Sequence, residues 1–359
     1  METENIIIGG GLAGLLTAWY MEQKGLPYIL LEAKAQLGGR ILGIKDSQEE
    51  HYHDLGPTWI FPHQCNIQSL LDELTIPYFE QYIQGDALFQ KQGDQNALRT
   101  AGAGGMEMYR VQGGMTTIVN TLSRKLKPSQ VKTAHVVKYI IQTDEIWHIN
   151  AAHNEAKVTF KAKNLILALP PRMITKHLTP ENWASSSLIQ ALQHVPTWMA
   201  AQAKFVATYE TPFWRELGLS GEVFSQQGPM QEMHDACAEN KIVSALFGFI
   251  GVPATYRANY DESQIKQACI NQLSQLYGKP AQSIKASYLK DWANDEFVAS
   301  GNDINEPPNH PHFAIANHEN ELTQKNIYLA GSEFSQVDAG YLEGAVCAVA
   351  EVINKLTFN

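Results

Sequence analysis

The stretch that most restricts the folds open to this chain is Gly9, Gly10, Gly11, Leu12, Ala13, Gly14, set directly behind the apolar run Ile6, Ile7, Ile8. Asn5 to Ile8 predicts a short buried strand, Leu12 to Gln23 a helix ended by Gly25, and Tyr28 to Glu32 a second strand. A strand, helix and strand with apolar runs of this kind suit parallel strands covered on both faces. Each glycine then has a physical task. Gly9 permits the tight turn, Gly11 lets the backbone approach a pyrophosphate, and Gly14 allows close helix packing, while the helix N-terminus faces negative charge. Glu32 stands eighteen residues after Gly14, near the spacing at which an acid holds ribose hydroxyls. An acid there repels a 2′-phosphate, which disfavours NADP and leaves NAD and FAD both open.

At 359 residues the chain exceeds what one compact core usually holds, so two interlocked domains around a cleft are expected. Apolar residues make up 44% and charged residues 18%, a globular composition rather than a disordered one. The formal charge of -10, with no dense Lys/Arg cluster, argues against nucleic acid and anionic membrane as partners, and favours cationic substrates only weakly. Cys65, Cys237, Cys269 and Cys347 are widely spaced with no Cys-x-x-Cys pair, which reads as reduced thiols in a cytoplasm. No apolar run approaches the roughly 18 residues of a membrane span. The first predicted strand leaves no room for a removable leader, and the last predicted helix none for a tail anchor. A cytoplasmic protein is expected, with its oligomeric state open.

Further along, Ile67, Leu70, Leu71 and Leu74 share one helical face, and Pro77 closes that section. Tyr78 to Met108 is glycine-rich and irregular, with patches such as Ala87, Leu88, Phe89 that suggest hairpins. Met115 to Leu126 returns to helical periodicity. Val136 to Ile141, Ile146 to Ile149 and Leu165 to Leu169 read as strands, the last stopped by Pro170 and Pro171. Ala200 to Tyr209 and Ile242 to Ile250 predict strands and Glu262 to Leu276 an amphipathic helix, followed by a closing strand at Ile327 to Ala330 and a helix at Gly344 to Leu356. His51, His53 and Asp54 could be drawn as a metal cluster. Alternate residues on an extended segment are more often one polar face, however, and no second ligand pair has suitable spacing, so no metal is expected. No serine sits in a Gly-x-Ser-x-Gly elbow, which leaves a hydrolase triad unsupported.

Several further motifs give the chain its resemblance. Glu32 and Ala33 are followed by Gly38, Gly39, Arg40; Asp54, Leu55, Gly56, Pro57, Thr58, Trp59 form a second block, and Val111 to Met115 a third. Leu329, Ala330, Gly331, Ser332, Glu333 precede Gly340, Tyr341, Leu342, Glu343, Gly344, Ala345. In these blocks the chain resembles the flavin amine oxidase family, the monoamine and polyamine oxidases and their relatives, and the cofactor this implies is FAD. The resemblance implies that Gly39 and Arg40 wrap the pyrophosphate, the arginine fork suiting phosphate, and that Gly56 to Trp59 pass beside the isoalloxazine ring. It further implies that Val137 meets the adenine from a strand spanning Val131 to Ile140, that Glu333 binds the ribityl chain, and that Leu342 gives a backbone N–H to the flavin O2 side. Helix-dipole help at that end suits a reduced, anionic flavin. Tyr341 is placed beside the substrate. Lys204, eight residues before Pro212, Phe213, Trp214, Arg215, matches a lysine that holds a water at the flavin N5, and Trp292 a tryptophan near the ring.

The implied fold is α/β: a Rossmann-type FAD-binding domain, discontinuous over 1–77, 109–195 and 300–359, with a second, smaller α+β substrate domain over 78–108 and 196–299. Departures from the family pattern narrow the expectation. Gly301 stands where covalent members carry a flavin-linking cysteine and Asn302 where a second cage tyrosine stands, so FAD is expected to be non-covalent and the cage incomplete. The excursion at 78–108 is shorter than is usual. The activity implied is oxidation of a small-molecule amine by hydride transfer to flavin N5, with oxygen as acceptor and peroxide released. Alternatives are an oxidoreductase on an apolar substrate, like the phytoene desaturase and protoporphyrinogen oxidase relatives, a flavin-using transferase or isomerase, and a flavin-bound scaffold.

Overall fold

The computed structural model describes residues 1–46, 50–101, 107–239, 243–312 and 315–358. Ile242, at the head of one predicted strand, residues 102–106 of the predicted excursion and Asn359 lie outside the described residues.

The run Asn5–Ile8 is a strand buried at all four positions. Parallel strands Tyr28–Leu31 and Asn164–Leu167 flank it, with Ile6 opposite both Ile29 and Leu165. Ile327–Leu329 and Val131–Lys132 extend the sheet to five parallel strands. Alternation divides these side chains between two layers. Ile7, Leu30 and Ile166 meet the helices Leu12–Lys24, Thr116–Lys125 and Leu342–Phe358. Ile6, Ile8, Ile29, Leu31, Leu165 and Leu167 meet an antiparallel sheet of Val136–Thr143, Ile146–His153 and Ala156–Ala162. Burial on both faces is what an unbroken apolar run requires. Because the first strand has neighbours on both sides, its end at Gly9 is a switch point where open parallel sheets bind ligands.

The expected single strand from Val131 to Ile140 is instead two strands in two sheets. The break falls at Ala134, which has φ 55° and donates its N–H to Lys34 O, while His135 N–H bonds Glu32 O. One left-handed residue lets the chain leave the parallel sheet and start the antiparallel one.

A second sheet has seven strands in the order Ala286–Asp291, Ala203–Tyr209, Ser244–Ile250, Met230–Asp235, Leu219–Ser225, Asp86–Gln90 and Leu98–Thr100. The last two form the antiparallel hairpin suggested around Leu88. Along Ala203–Tyr209, Ala203, Phe205, Ala207 and Tyr209 pack with Cys269 and Leu273 of helix Glu262–Tyr277. Alternation therefore sends Lys204 and Val206 to the opposite face, where Val206 meets Leu55 and Phe247. That face turns toward the parallel sheet. Trp292 Nε1 donates to Leu55 O at 2.9 Å, and Arg110 donates to Cys237 O and Ala236 O at 2.8 and 3.2 Å, so polar bonds tie the seven-stranded sheet and its flanks to the segments that carry Leu55 and Arg110.

Candidate active site

A cavity of about 580 Å³ lies between the carboxyl ends of the parallel strands and the second sheet, within the size range of small-molecule sites. Its floor is the glycine turn. Gly9 has φ 108°, and a Cβ there would stand 2.4 Å from Ala168 O; a Cβ on Gly14 would stand 1.8 Å from Gly9 O. Both are glycine because protein backbone crowds them. Gly11 differs: its φ is -75°, and a Cβ would meet no protein atom closer than 3.8 Å. No protein group accounts for glycine at position 11, whereas a ligand lying across the turn would. Gly11 also caps helix Leu12–Lys24, which has no side-chain cap and no acid in its first turn, leaving the positive end free for an anion.

Glu32 lines the same cavity and is buried. Its carboxylate accepts Gly10 N–H at 2.6 Å and Lys34 N–H at 2.8 Å, which orients it, and burial holds its pKa above the ordinary carboxylate value. Uncrowded backbone at Gly11, an open helix end and an acid at the second strand together fit an adenine dinucleotide. Leu12, Ala13, Ala33, Gly39, Gly56, Pro57, Val137, Gly331, Gly340, Leu342 and Ala345 also line the cavity.

Two expected contacts differ. Glu333 is fully buried behind the cavity wall, not on it. Arg40 does line the cavity, but its fork is engaged with Glu333, Nη1 to Oε1 at 2.6 Å and Nη2 to Oε2 at 3.0 Å, while Nη2 also reaches Ser332 Oγ at 3.0 Å. A buried carboxylate needs a charged partner, and the nearby guanidinium supplies it. The pair fixes the wall from Arg40 to Ser332. Gly14 likewise stands outside the lining, as a packing residue.

Lys204 reaches the cavity and is buried to 2%. Its Nζ donates to Thr58 Oγ1 and, at 3.1 Å, to Gly56 O, and lies 4.2 Å from the Phe247 ring centre. Burial drives its pKa well below the usual lysine value, and nearby Asp54 opposes that shift. Burial in turn raises Asp54, whose Oδ1 accepts Met115 N–H at 2.8 Å. Amine and carboxyl thus share a region shielded from solvent, each felt by the other's charge. Trp292 lines the cavity edge, with Lys290 Nζ 4.8 Å from its ring centre.

Tyr341 also lines the cavity, its hydroxyl 3.2 Å from His310 Nε2 and its ring stacked on His310 at 5.2 Å. His310 in turn stacks on Trp198 at 3.6 Å. Gly301 and Asn302 lie in the short helix Gly301–Asn305, exposed and away from the cavity. Trp59, Phe61 and Phe249 add aromatic wall, and Glu232 adds a carboxylate, half-exposed and bonded to His234 Nε2 at 2.7 Å. Neither Trp198 nor Glu232 was identified by sequence reasoning. Glu232 sits in a strand with no motif, and a register shift between Met230 and Glu232 turns Met230 into the core on the other face, so alternation gave no signal for it.

His51 and His53 are buried to 3% and 2% rather than forming a solvated polar face. The strand Tyr52–Asp54 lies beneath the second sheet, and His53 stacks on Tyr288 at 5.6 Å.

A sequence profile described as "Flavin containing amine oxidoreductase" matches residues 78–348, and one described as "NAD(P)-binding Rossmann-like domain" matches residues 7–74. The chain is 23% identical to the probable flavin-containing monoamine oxidase A of Dictyostelium discoideum, over 95% of this chain and 94% of that protein. Its fold superposes with a TM-score of 0.82 on wild-type putrescine oxidase bound to putrescine, covering 99% of each chain at 18% identity. Cyclohexylamine oxidase from Brevibacterium oxydans gives 0.81 at 17% identity, covering 99% of this chain and 100% of that one. With the profile spanning three quarters of its length and the glycine cradle beside it, this chain belongs to the flavin-containing amine oxidoreductases, and its cofactor is FAD.

Proposed function

We propose that the protein oxidises a small amine, with oxygen as electron acceptor. One observation carries this reading: the cavity that begins at the glycine cradle continues into an aromatic wall of Trp59, Phe61, Phe249 and Tyr341 that holds the Glu232 carboxylate. Aromatic faces and one carboxylate attract an ammonium group, and the carboxylate does not suit a purely apolar substrate. FAD, when bound, supplies the two-electron acceptor for the amine C–H bond and passes those electrons on to oxygen.

The protein's own contribution is position and charge. Gly11, the Leu12–Lys24 helix end and Glu32 would hold the pyrophosphate and ribose, and Val137 would meet the adenine. Arg40, fixed by Glu333, keeps the wall at Ser332 in shape and presents positive charge beside it. Thr58, Trp59, Trp292 and Leu342, which line the same cavity, would border the ring, and Tyr341 would orient the amine. Lys204 holds a proton close to the reacting region, its depressed pKa letting it give that proton up near neutrality. We propose the same division of labour for the chain, with 1–77, 109–195 and 300–359 carrying the cofactor and 78–108 and 196–299 facing the substrate. A cytoplasmic address is proposed as well, supported by four free cysteines of which Cys237 and Cys269 are buried.

Anaerobic titration of the yellow protein with a panel of primary, secondary and diamines tests the reading. An amine substrate bleaches the visible flavin band. A band that dithionite bleaches but no amine does would refute it. In Glu232→Gln, the concentration of amine needed for half-bleaching should rise about tenfold, equivalent to about 1.4 kcal/mol.

A further inference from the structure

Behind Thr58 lies a second, small cavity, about 10 Å³, lined by His51, His53, Asp54, Thr58 and Arg110. That is about enough room for one water. Three of these residues carry buried nitrogens with no hydrogen-bond partner among the described residues: His51 Nε2, His53 Nδ1 and Arg110 Nε. Buried polar atoms rarely go unpaired, and three around one water-sized space mark a polar binding site. Two connections lead away from it. Thr58 Oγ1 accepts a bond from Lys204 Nζ, which reaches the main cavity. His53 Nε2 lies 3.1 Å from Asp46 Oδ2, and while the imidazole is 1% exposed, the Asp46 side chain is 18% exposed. One ring thus joins the small cavity to a carboxylate that meets solvent.

We propose that Asp46, His53, a water held in the small cavity and Thr58 form a proton relay that recharges Lys204 from solvent. The proposal rests on the reading of Lys204 as the proton holder beside the reaction site. After Lys204 releases a proton into the main cavity, its amine takes one from the Thr58 hydroxyl. Thr58 takes one from the water, and the water takes one from His53 Nδ1–H as His53 Nε2 accepts one from the Asp46 carboxyl. Each hop breaks one N–H or O–H bond and forms one, no electrons change hands, and Asp46 is reprotonated by solvent. The imidazole then returns to its starting tautomer before the next cycle.

The surroundings favour a neutral imidazole, the form with one donor and one acceptor nitrogen. Burial, then the charge of Arg110, push the His51 pKa down to about 3, and burial lowers His53 despite Asp46. Asp54, Arg110 and Lys204 are the other titratable groups at the cavity, with Asp235, Cys237 and Arg215 beyond Arg110. His51 caps the water without leading onward, which makes it a positioning residue.

The first test is independent of turnover: a high-resolution crystal structure should place an ordered water within hydrogen-bond distance of His53 Nδ1 and Thr58 Oγ1. Side chains turned so that these atoms pair with protein groups would overturn the relay. The second is stopped-flow reoxidation of reduced holoenzyme by oxygen. His53→Phe keeps the ring against Tyr288 but carries no proton, and should slow this step about tenfold, with surface Asp46→Asn slowing it about threefold. Should His53→Phe fold poorly, His53→Ala with added imidazole replaces it. Rescue is expected from imidazole and not from thiophene, which fills the space without moving a proton, and equal rescue by both would overturn the relay. Lys204→Met separates the two readings. If it slows reoxidation while the His53 and Asp46 variants keep the wild-type rate, the relay is wrong and the lysine reading stands. If Lys204→Met changes nothing, both are wrong.

Discussion

Gly11 and Lys204 show how much a single position can be made to report. At Gly11 the protein leaves space for a side chain, so Gly11→Val should fold normally and yet be isolated without flavin, because the valine would occupy the volume of the pyrophosphate. A colourless variant with wild-type unfolding behaviour is the expected outcome, and a fully yellow one would remove the cradle from the argument. Lys204→Met should slow reoxidation by oxygen at least tenfold, about 1.4 kcal/mol of barrier, while anaerobic reduction by dithionite changes less. His51 makes a prediction about pH. Its folded pKa, about 3, lies below the unfolded 6.5, so between these values the unfolded chain binds a proton that the folded chain does not. The stability His51 contributes is complete above pH 6.5 and is lost as pH falls toward 3. Relative to His51→Leu, the wild type should lose up to about 1.4 kcal/mol per pH unit below pH 6, measured by urea unfolding. Sequence alone could not place these histidines. An alternation of two polar residues looks the same whether it faces water or a buried polar pocket, and only the sheet packed over it decides. Arg40 and Glu333 show the same gap: each was recognisable, but their mutual pairing across the chain was not.

Among the elements, the helix Leu342–Phe358 does most to hold the site in place. Glu343 in its first turn is buried, and its carboxylate accepts Ile67 N–H at 2.8 Å, Asn66 N–H at 3.1 Å and Asn66 Nδ2 at 2.6 Å. One acid thereby serves the amino ends of two helices, its own and Cys65–Glu73. Glu343→Ala should cost about 2–3 kcal/mol of stability and loosen flavin retention together, as seen by denaturant unfolding and by flavin released on dialysis. A loss of stability with flavin held as tightly as before would separate the helix from the site. Elements opened or closed by a clear signal were the ones most legible in sequence: Asn5–Ile8, Leu12–Lys24 and Glu262–Tyr277 fall within a residue or two of expectation. The third antiparallel strand, Ala156–Ala162, went unread although Ala156, Val158, Phe160 and Ala162 alternate strictly with Lys157, Thr159 and Lys161, the pattern of a half-buried strand. Lys204 was legible only through the resemblance carried by Pro212, Phe213, Trp214 and Arg215, and alternation along Ala203–Tyr209 accounts for the face it occupies.

For the whole molecule, the cofactor should come away without a covalent trace. No cysteine lines the main cavity among the described residues, so trichloroacetic acid should leave all of the FAD in the supernatant. Yellow colour retained by the precipitate would contradict this. The parallel sheet was legible because the glycine turn opens it and the later motifs return to it. The substrate-facing surface was not, since Glu232 and Trp198 belong to strands and loops that carry no motif. The walls of the cavity come from far apart in the chain, Gly9 to Ala13 near one end and Gly331 to Ala345 near the other. A ribosome makes the first of these hundreds of residues before the second, so the complete wall forms only when both segments have been synthesised and brought together. Flavin that touches both segments then bridges the two ends of the fold, and the protein without flavin should open first along that seam, read by faster hydrogen exchange at 9–13 and 331–345.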